Sequence, residues 1–246
     1  MNNKELFTGK SDDYSRFRPA YPEAAVDYLK AKISGSAVVD IGAGTGIFTR
    51  LLLKHFPDTA AIEPNAAMRE KFHRFLPGIP CRDASGEATG FPDDSVDLIT
   101  VAQAFHWLDE EKFKQEAMRI LRPGGKVAIV WNTELKSDFT SARNAVCQKY
   151  CPRFRNGYAG KRTPAEGDAF LRYSYFNTVE FIAFDNPFVM DLATFEGNMR
   201  SRSYAPGSAD CQYNAFMEEL RSVFDRFSRN GTVTELQETQ IYLGSF

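Results

Sequence analysis

The sequence predicts an α/β fold built around a parallel sheet. In its first half, short apolar runs alternate with segments of helical periodicity. The runs at 37–41 and 96–101 are mostly apolar, as expected of strands that helices cover on both faces. A glycine-rich turn follows the first run, which is typical of the passage from a strand to a helix in such sheets.

The first elements follow from local patterns. A helix begins at Pro22, because proline suits the first helical turn, and 34–36 ends it. Strands are predicted at 37–41 and 59–63, with a helix between them. Asn65 can cap another helix. The inward residues predicted for the helix that begins at Pro22 are Val26, Leu29 and Ile33. Those predicted for the helix capped by Asn65 are Met68, Phe72 and Phe75.

The strand at 96–101 precedes a helix whose first turn carries the acidic residues 109–111, which favour the positive end of the helix dipole. Pro123-Gly124-Gly125 is predicted to end that helix, and 126–131 to return to the sheet. The inward residues predicted for this helix are Phe113, Ala117 and Ile120.

The alternation of short apolar runs and helical segments ends after Trp131. Residues 137–150 predict one more helix, whereas 151–175 lack a clean period and predict a loop or cap. The remaining predicted elements are a strand over 179–190, a helix over 208–229 with Phe216, Leu220, Phe224 and Phe227 inside, and one or two strands over 233–243.

Charge and composition narrow the classes of function. The net charge is −2 over 246 residues, so no basic field attracts nucleic acid or an anionic membrane. The first residues lack the apolar run of a signal peptide, and no stretch approaches the roughly 20 apolar residues of a membrane span. The four cysteines show no metal-site spacing. We expect a cytoplasmic protein without a metal.

The strongest chemical signal is Asp40 followed by Gly42, Gly44 and Gly46 at the end of the first strand. Without Cβ atoms, this turn lets a ligand approach the backbone closely. Glu63 ends the next strand about 20 residues later, where a carboxylate can accept hydrogen bonds from ribose hydroxyls. The pattern indicates a ligand that contains a nucleoside.

These residues resemble the ordered motifs of class I S-adenosylmethionine-dependent methyltransferases. The matching segments are 38–46, 61–65, 91–97 and 121–126. Within that superfamily, 14–22, 104–107 and 201–206 resemble the subgroup that includes trans-aconitate methyltransferase (methyltransferase type 11). The resemblance implies a Rossmann-like fold with a seven-stranded, mostly parallel sheet, helices on both faces and a small cap after the fifth strand.

The resemblance also implies S-adenosylmethionine as the methyl donor. It places Asp40 at the methionine end, Glu63 at the ribose and 85–87 at the adenine, while Tyr14 and Arg18 close over the carboxylate as a lid. The full donor-binding set that it implies is Tyr14, Arg18, Asp40, Gly42, Ala43, Gly44, Gly46, Glu63, Pro64, Asn65, Met68, Ser85, Gly86, Glu87 and Gln103.

The acceptor is less well specified. We expect a small molecule, with a carboxylic acid as one candidate, since a carboxylate attacks the donor methyl without a general base. If a base is needed, His106 is the first candidate, because its pKa can lie near 7. Phe105, His106 and Trp107 are the alternative candidates for the acceptor wall, and the resemblance adds Arg200 and Tyr204.

We expect a single domain over 1–246. Its predicted parts are a lid segment (1–21), a donor-binding core (37–131), an acceptor-side region (132–207) and a C-terminal helix and strand (208–246).

Three other functions remain open. A nicotinamide-dependent oxidoreductase also has a glycine-rich turn, but its fingerprint is Gly-x-Gly-x-x-Gly, and Asp40 disfavours a nearby pyrophosphate. A non-catalytic protein can retain the donor pocket. A nucleic-acid or protein methyltransferase is disfavoured by the near-neutral charge.

Overall fold

The computed structural model describes residues 17–154 and 162–246. Its helices are α1 (Glu23–Lys32), α2 (Ile47–Leu52), α3 (Ala66–Phe75), α4 (Glu110–Ile120), α5 (Asp138–Tyr150), α6 (Pro164–Phe170), α7 (Leu192–Ser201) and α8 (Tyr213–Phe227). A 3-10 turn covers Phe105–Trp107, and a π turn covers Leu171–Tyr175. Among these described residues, we find no helix with the length and apolar character that a membrane crossing requires.

The strands are β1 (Val38–Ile41), β2 (Thr59–Ile62), β3 (Cys81–Arg82), β4 (Val96–Ala102), β5 (Leu121–Glu134), β6 (Thr178–Asp185), β7 (Phe188–Asp191), β8 (Thr232–Glu235) and β9 (Gln237–Ser245). Seven of them form one sheet in the order β3-β2-β1-β4-β5-β9-β6, and β7 pairs with β8 apart from it. The first five strands are parallel, and β9 is antiparallel to both β5 and β6. The predicted seven-stranded, mostly parallel sheet is confirmed.

The order of the strands creates a crevice next to β1. From β1 the chain continues outward to β2 and β3, and it then returns to the other side of β1 for β4 and β5. The connections on the two sides of β1 run in opposite directions across the sheet, which leaves a crevice between them. In open α/β sheets, ligands bind in such a crevice at the carboxyl ends of the strands. The glycine turn after β1 lies at this position.

The sheet is covered on both faces. Leu98 packs with Leu29 of α1 on one face, whereas its neighbour Ile99 packs with Phe113 of α4 on the other. This alternation is the two-residue period of a strand. All four side chains are completely buried, which explains why β4 is mostly apolar.

A third apolar cluster joins α5, α7, α8, β7 and β8, which we call the cap. Phe139, Phe195, Phe216, Leu220 and Val233 are buried in it. The prediction that Phe216 and Leu220 are core residues is confirmed, but their core belongs to the cap and not to the sheet. Helix α8 contacts α5 and α7, so the cap is assembled from segments on both sides of β6.

Three predicted elements are corrected. The strand predicted over 179–190 is two strands, because Pro187 lacks the N–H that a continuous ladder needs. Helix α4 ends at Ile120, before the predicted stop at 123–125, and the chain enters β5 directly. Phe75, predicted to point inward, is 50% exposed.

The structure also contains two helices that the sequence patterns did not indicate. Helix α6 and the π turn after it lie within 151–175, which was predicted as a loop or cap. Helix α7 buries Phe195 and Met199, although Gly197 and Asn198 between them are poor helix formers. The helix predicted over 208–229 is shorter, since α8 begins at Tyr213 and ends at Phe227.

Candidate active site

The turn after β1 requires glycine at its first position. Gly42, Gly44 and Gly46 have φ values of +68°, +58° and +86°, in the left-handed region that side chains disfavour. A Cβ on Gly42 would lie 2.5 Å from the Cβ of Ala104, so the bare backbone also allows the loop after β4 to approach. The Gly42 N–H donates to the carbonyl oxygen of Ile62 at 2.8 Å, which fixes the turn against the end of β2.

Glu63 joins the ends of the first two strands. Its Oε2 accepts the N–H of Gly44 at 2.8 Å, and its Oε1 accepts the N–H of Asn65 at 2.7 Å. The side chain is buried, and burial raises the pKa of the Glu63 carboxyl although the two N–H groups act to lower it. Each oxygen has a second lone pair, so this carboxylate can still accept hydrogen bonds from a ligand.

Asp40 lies beneath the glycine turn. Its carboxylate is fully buried and accepts hydrogen bonds from the hydroxyls of Thr49 at 2.6 Å and Thr100 at 2.7 Å. Burial raises the pKa of Asp40 to about 6, although both hydroxyls act to lower it. The residue borders the site, but its two oxygens are held by the protein itself. A negative charge therefore acts on the site from below the turn.

A cavity of about 920 Å³ opens at the carboxyl ends of the strands, between the glycine turn and the cap. This volume is at the upper end of the range for small-molecule sites. The sequence-predicted residues that line it are Arg18, Asp40, Gly42, Ala43, Gln103, Phe105, His106, Trp107 and Tyr204.

Gln103 has a strained backbone at the end of β4. Its φ is +56°, which is uncommon for a residue with a side chain. Its N–H donates to the carbonyl oxygen of Val130 at 2.9 Å, and its Nε2 donates to the carbonyl oxygen of Asn132 at 3.0 Å. These two hydrogen bonds to β5 maintain the strained conformation. Backbone strain of this kind is common at functional sites.

One wall of the cavity is aromatic. The rings of His106 and Trp131 stack with centroids 5.5 Å apart, and Trp107 lies 4.4 Å from His106. Burial lowers the pKa of His106 to about 4, so its imidazole is neutral near pH 7 and is a weak base. The chain contains two tryptophans, and both line this cavity.

Another part of the wall carries charged residues that the sequence patterns did not indicate: Glu134, Arg202 and Glu235. Together with the buried Arg143 behind them, they form what we call the ion ring. Arg143 is completely buried and pairs with both carboxylates. Arg202 reaches the same two carboxylates, at 2.8 Å from Glu134 and 3.7 Å from Glu235. Although burial acts to raise it, the two guanidinium groups hold the pKa of Glu134 at about 2. The single local signal for the ring is the placement of Arg143 on the buried face of α5.

Two polar atoms next to the ion ring lack a hydrogen-bond partner among the described residues. They are the hydroxyl of Tyr204 and Nε2 of Gln237, and both are buried. Tyr204 was predicted from resemblance, whereas Gln237 had no sequence signal. Both residues line the cavity.

Comparison with known proteins finds methyltransferases over part of the chain. Residues 39–129 match the family described as "methyltransferase domain". Over 120 residues, 49% of each chain, the protein is 39% identical to an uncharacterised methyltransferase of Mycobacterium tuberculosis. Over 162 residues, 62% of this chain and 55% of the other, it is 32% identical to a Saccharomyces cerevisiae protein named as an S-adenosylmethionine-dependent methyltransferase. The chain spans about half the length of the curated relatives it matches.

Residues 39–129, which include the glycine turn and Glu63, therefore resemble a methyltransferase domain. A solved structure described as a type II methyltransferase from Anaeromyxobacter dehalogenans has the same fold, with a TM-score of 0.67 at 22% identity over 93% of this chain and 96% of the other. The narrower resemblance to the trans-aconitate methyltransferase subgroup stays a prediction.

The other predicted donor residues of this chain lie outside the wall of the cavity. The loop at 85–87 contacts the end of β1, since a Cβ on Gly86 would lie 2.8 Å from Ile41, and Glu87 accepts the N–H of Asp109 at 2.8 Å. The predicted residues outside the cavity wall are Gly44, Gly46, Glu63, Pro64, Asn65, Met68, Ser85, Gly86 and Glu87.

Two further predicted residues lie elsewhere. Arg200 does not line the cavity, and it forms an ion pair with Glu196 at 3.7 Å within α7. Tyr14 lies outside the described residues. Among residues 17–154 and 162–246, His, Cys, Asp and Glu form no group of three that is suited to a metal ion.

Proposed function

We propose that this chain transfers the methyl group of S-adenosylmethionine to a small-molecule acceptor by in-line displacement. The observation that carries this proposal is the glycine turn of β1, which is tied to Glu63 and opens onto a cavity at the strand ends. The turn leaves its backbone bare to a ligand, and Glu63 offers oxygens for a ribose.

The residues present fit the donor. Gly42 and Ala43 bring bare backbone to the cavity, and Gln103 and Arg18 bring polar groups to the same wall. Asp40 supplies negative charge below the turn, which suits the amino group and the sulfonium of the donor. We infer that the methionine half lies in the cavity and the adenosine half beside it, along 63–68 and 85–87.

The donor supplies an electrophilic methyl group when it is bound, so the chain supplies position. Holding acceptor, methyl carbon and sulfur nearly collinear is worth roughly 7–11 kcal/mol in well-oriented reactions. The sheet edge and the cap enclose the cavity from two sides, which restricts the acceptor to small molecules. We therefore propose neither a nucleic acid nor a membrane as substrate, and we retain a cytoplasmic location as a prediction.

The acceptor group that fits this site best is one that is already ionised, such as a carboxylate. His106 is the nearest candidate base, but its lowered pKa leaves it with little affinity for a proton at pH 7. Together with Trp131, it forms a flat wall against which an acceptor can lie. We assign Phe105, His106 and Trp107 to this wall.

Calorimetry with S-adenosylhomocysteine and with NAD tests the choice of cofactor. We expect S-adenosylhomocysteine to bind and NAD not to bind. Tight binding of NAD alone identifies the oxidoreductase instead.

Incubation with isotopically labelled donor and a panel of small carboxylic acids, alcohols and amines tests the reaction. We expect label on at least one carboxylic acid. Donor binding without transfer to any member of a broad metabolite panel identifies a non-catalytic binding protein.

A further inference from the structure

Tyr204 and Gln237 present buried polar atoms that the fold leaves unsatisfied. The Tyr204 hydroxyl and Gln237 Nε2 have no hydrogen-bond partner among residues 17–154 and 162–246. Buried polar groups in folded proteins are nearly always hydrogen-bonded, because the alternative is a full desolvation cost. Both residues line the large cavity, so a ligand in that cavity can satisfy them.

The two residues lie in one neighbourhood. Gln237 is directly opposite Glu134 in the β5–β9 ladder, so their side chains share a face of the sheet. Glu134 accepts a hydrogen bond from Arg202 at 2.8 Å, and Tyr204 follows Arg202 by two positions. The two orphaned groups therefore border the same end of the cavity, at the ion ring.

The ion ring determines which chemistry this end favours. Each guanidinium group in it already faces two carboxylates, so its positive charge is compensated within the protein. An incoming anion gains little from such a ring and loses its hydration. Arg18 also lines the cavity, but the proposed function assigns it to the donor. The two orphaned groups at this end are neutral donors, because burial also keeps the Tyr204 hydroxyl protonated by raising its pKa to about 12.

We propose that the methyl acceptor is anchored by a neutral carbonyl-type oxygen, of an amide, ketone or ester, which accepts hydrogen bonds from the Tyr204 hydroxyl and Gln237 Nε2. The inference rests on the proposed function, because it concerns the acceptor of that reaction. The acceptor then has two ends: a nucleophilic group near the aromatic wall and a neutral oxygen at the ion ring. Tyr204 and Gln237 select between acceptors and take no part in the transfer step.

The experiment uses the full chain saturated with S-adenosylhomocysteine, whose binding is measured first by calorimetry. Acetamide and acetate are then titrated separately at constant ionic strength while the side-chain amide of Gln237 is followed by nuclear magnetic resonance. The Gln237→Met variant assigns that signal. At the Gln237 signal we expect a saturable shift with acetamide and at least fivefold weaker binding of acetate.

Matched variants separate recognition from folding. Tyr204→Phe removes one oxygen and is expected to weaken acetamide binding about fivefold to tenfold. Tyr173→Phe makes the same change at an 80% exposed residue and is expected to leave binding unchanged. The amide of Gln115, which is exposed on α4 outside the cavity, is the reference signal.

Three outcomes overturn the proposal: tighter binding of acetate than of acetamide as followed at the Gln237 signal, no shift at Gln237 beyond that at Gln115, or equal acetamide binding by Tyr204→Phe and the wild type. Failure of S-adenosylhomocysteine to bind in the first step instead contradicts the proposed function. The two failures are therefore distinguishable.

Discussion

Glu63 Oε2 accepts the backbone N–H of Gly44 at 2.8 Å, so the acid at the end of β2 holds the glycine turn at the end of β1. The two features that most strongly indicate a nucleoside ligand are therefore one hydrogen-bonded unit. A change at either residue is expected to alter both the turn and the affinity for the donor.

Glu63→Gln tests this unit. The substitution replaces an acceptor oxygen with an NH₂ group that faces the N–H of Gly44 or Asn65. We expect the free energy of unfolding to fall by about 1–3 kcal/mol and the affinity for S-adenosylhomocysteine to fall about tenfold or more. Urea denaturation and calorimetry measure the two effects. Glu70→Gln, at an exposed position of α3, is the control, and unchanged affinity in Glu63→Gln contradicts the assignment.

Gly42→Ala separates steric contact from backbone strain. Alanine at this position must adopt an unfavourable φ, and its Cβ would lie 2.5 Å from the Cβ of Ala104. Gly78→Ala is a matched control, because Gly78 has a φ of +86° and open space around its missing Cβ. We expect Gly78→Ala to cost about 1–2 kcal/mol in unfolding free energy, and Gly42→Ala to cost more and to weaken donor binding. Equal costs, with donor affinity retained, show that the close approach to Ala104 is unimportant.

Arg143→Met tests the ion ring. It leaves Glu134 and Glu235 buried with one guanidinium group between them, and we expect a loss of about 3–5 kcal/mol in unfolding free energy at pH 7. Burial already raises the pKa of Glu235, and losing Arg143 raises it further. The folded variant then binds a proton more tightly than the unfolded chain, so its stability recovers as the pH falls.

Two companion variants check the cause. Arg143→Lys keeps the charge, and the double variant Arg143→Met with Glu235→Gln removes one uncompensated carboxylate, so both are expected to be more stable than Arg143→Met. Denaturation curves at several pH values measure this. A stability loss in Arg143→Met that does not depend on pH is evidence for a packing defect instead.

Asp40→Asn isolates the effect of one buried carboxylate on pH dependence. The folded pKa of Asp40, about 6, lies above its ordinary value of 3.8, so protonation favours the folded state. The contribution of Asp40 to stability is complete below the ordinary value and is lost as the pH rises through 6. The unfolding free energy of wild type relative to Asp40→Asn is expected to rise by up to about 3 kcal/mol between pH 7 and 4. A constant difference across that range places the pKa of Asp40 at its ordinary value.

His106→Phe tests whether the reaction needs a base. The phenyl ring keeps the aromatic contact with Trp131 but cannot bind a proton. Removing a general base typically costs 10²–10⁴-fold in rate, and we expect a loss below about tenfold, expressed in KM. Once an acceptor is known, the pH–rate profile of the wild type is expected to lack an inflection near 6.5. A loss of a hundredfold in kcat, together with such an inflection, assigns His106 as the base.

The donor half of the fold was predictable because its signals are local. Strands β1, β2 and β4 begin and end within a residue or two of their predicted limits, since buried parallel strands appear as short apolar runs between turn residues. The side chains of Phe113, Ala117 and Ile120 are buried as predicted. The glycine turn and Glu63 were also predictable, because each lies within a few positions of a strand end.

The acceptor half was less predictable because its contacts are distant in sequence. Arg143 and Glu235 are 92 positions apart, and no local pattern pairs them. Helix α7 forms against its own propensity, because burial of Phe195 and Met199 in the cap outweighs the weak preferences of Gly197 and Asn198. Gln237 is a polar residue in a strand, and its place at the cavity depends on the register of β9 against β5.

The position of β9 between β5 and β6 bears on how the chain is synthesised. The five parallel strands that form the donor crevice leave the ribosome in sequence and can pair as they emerge, but β6 has no neighbour in the large sheet until 237–245 follow. Glu235 and Gln237, which complete the ion-ring end of the cavity, lie just before this stretch and at its start. During translation, the residues of the proposed donor crevice are therefore made before the residues that complete the ion-ring end of the cavity.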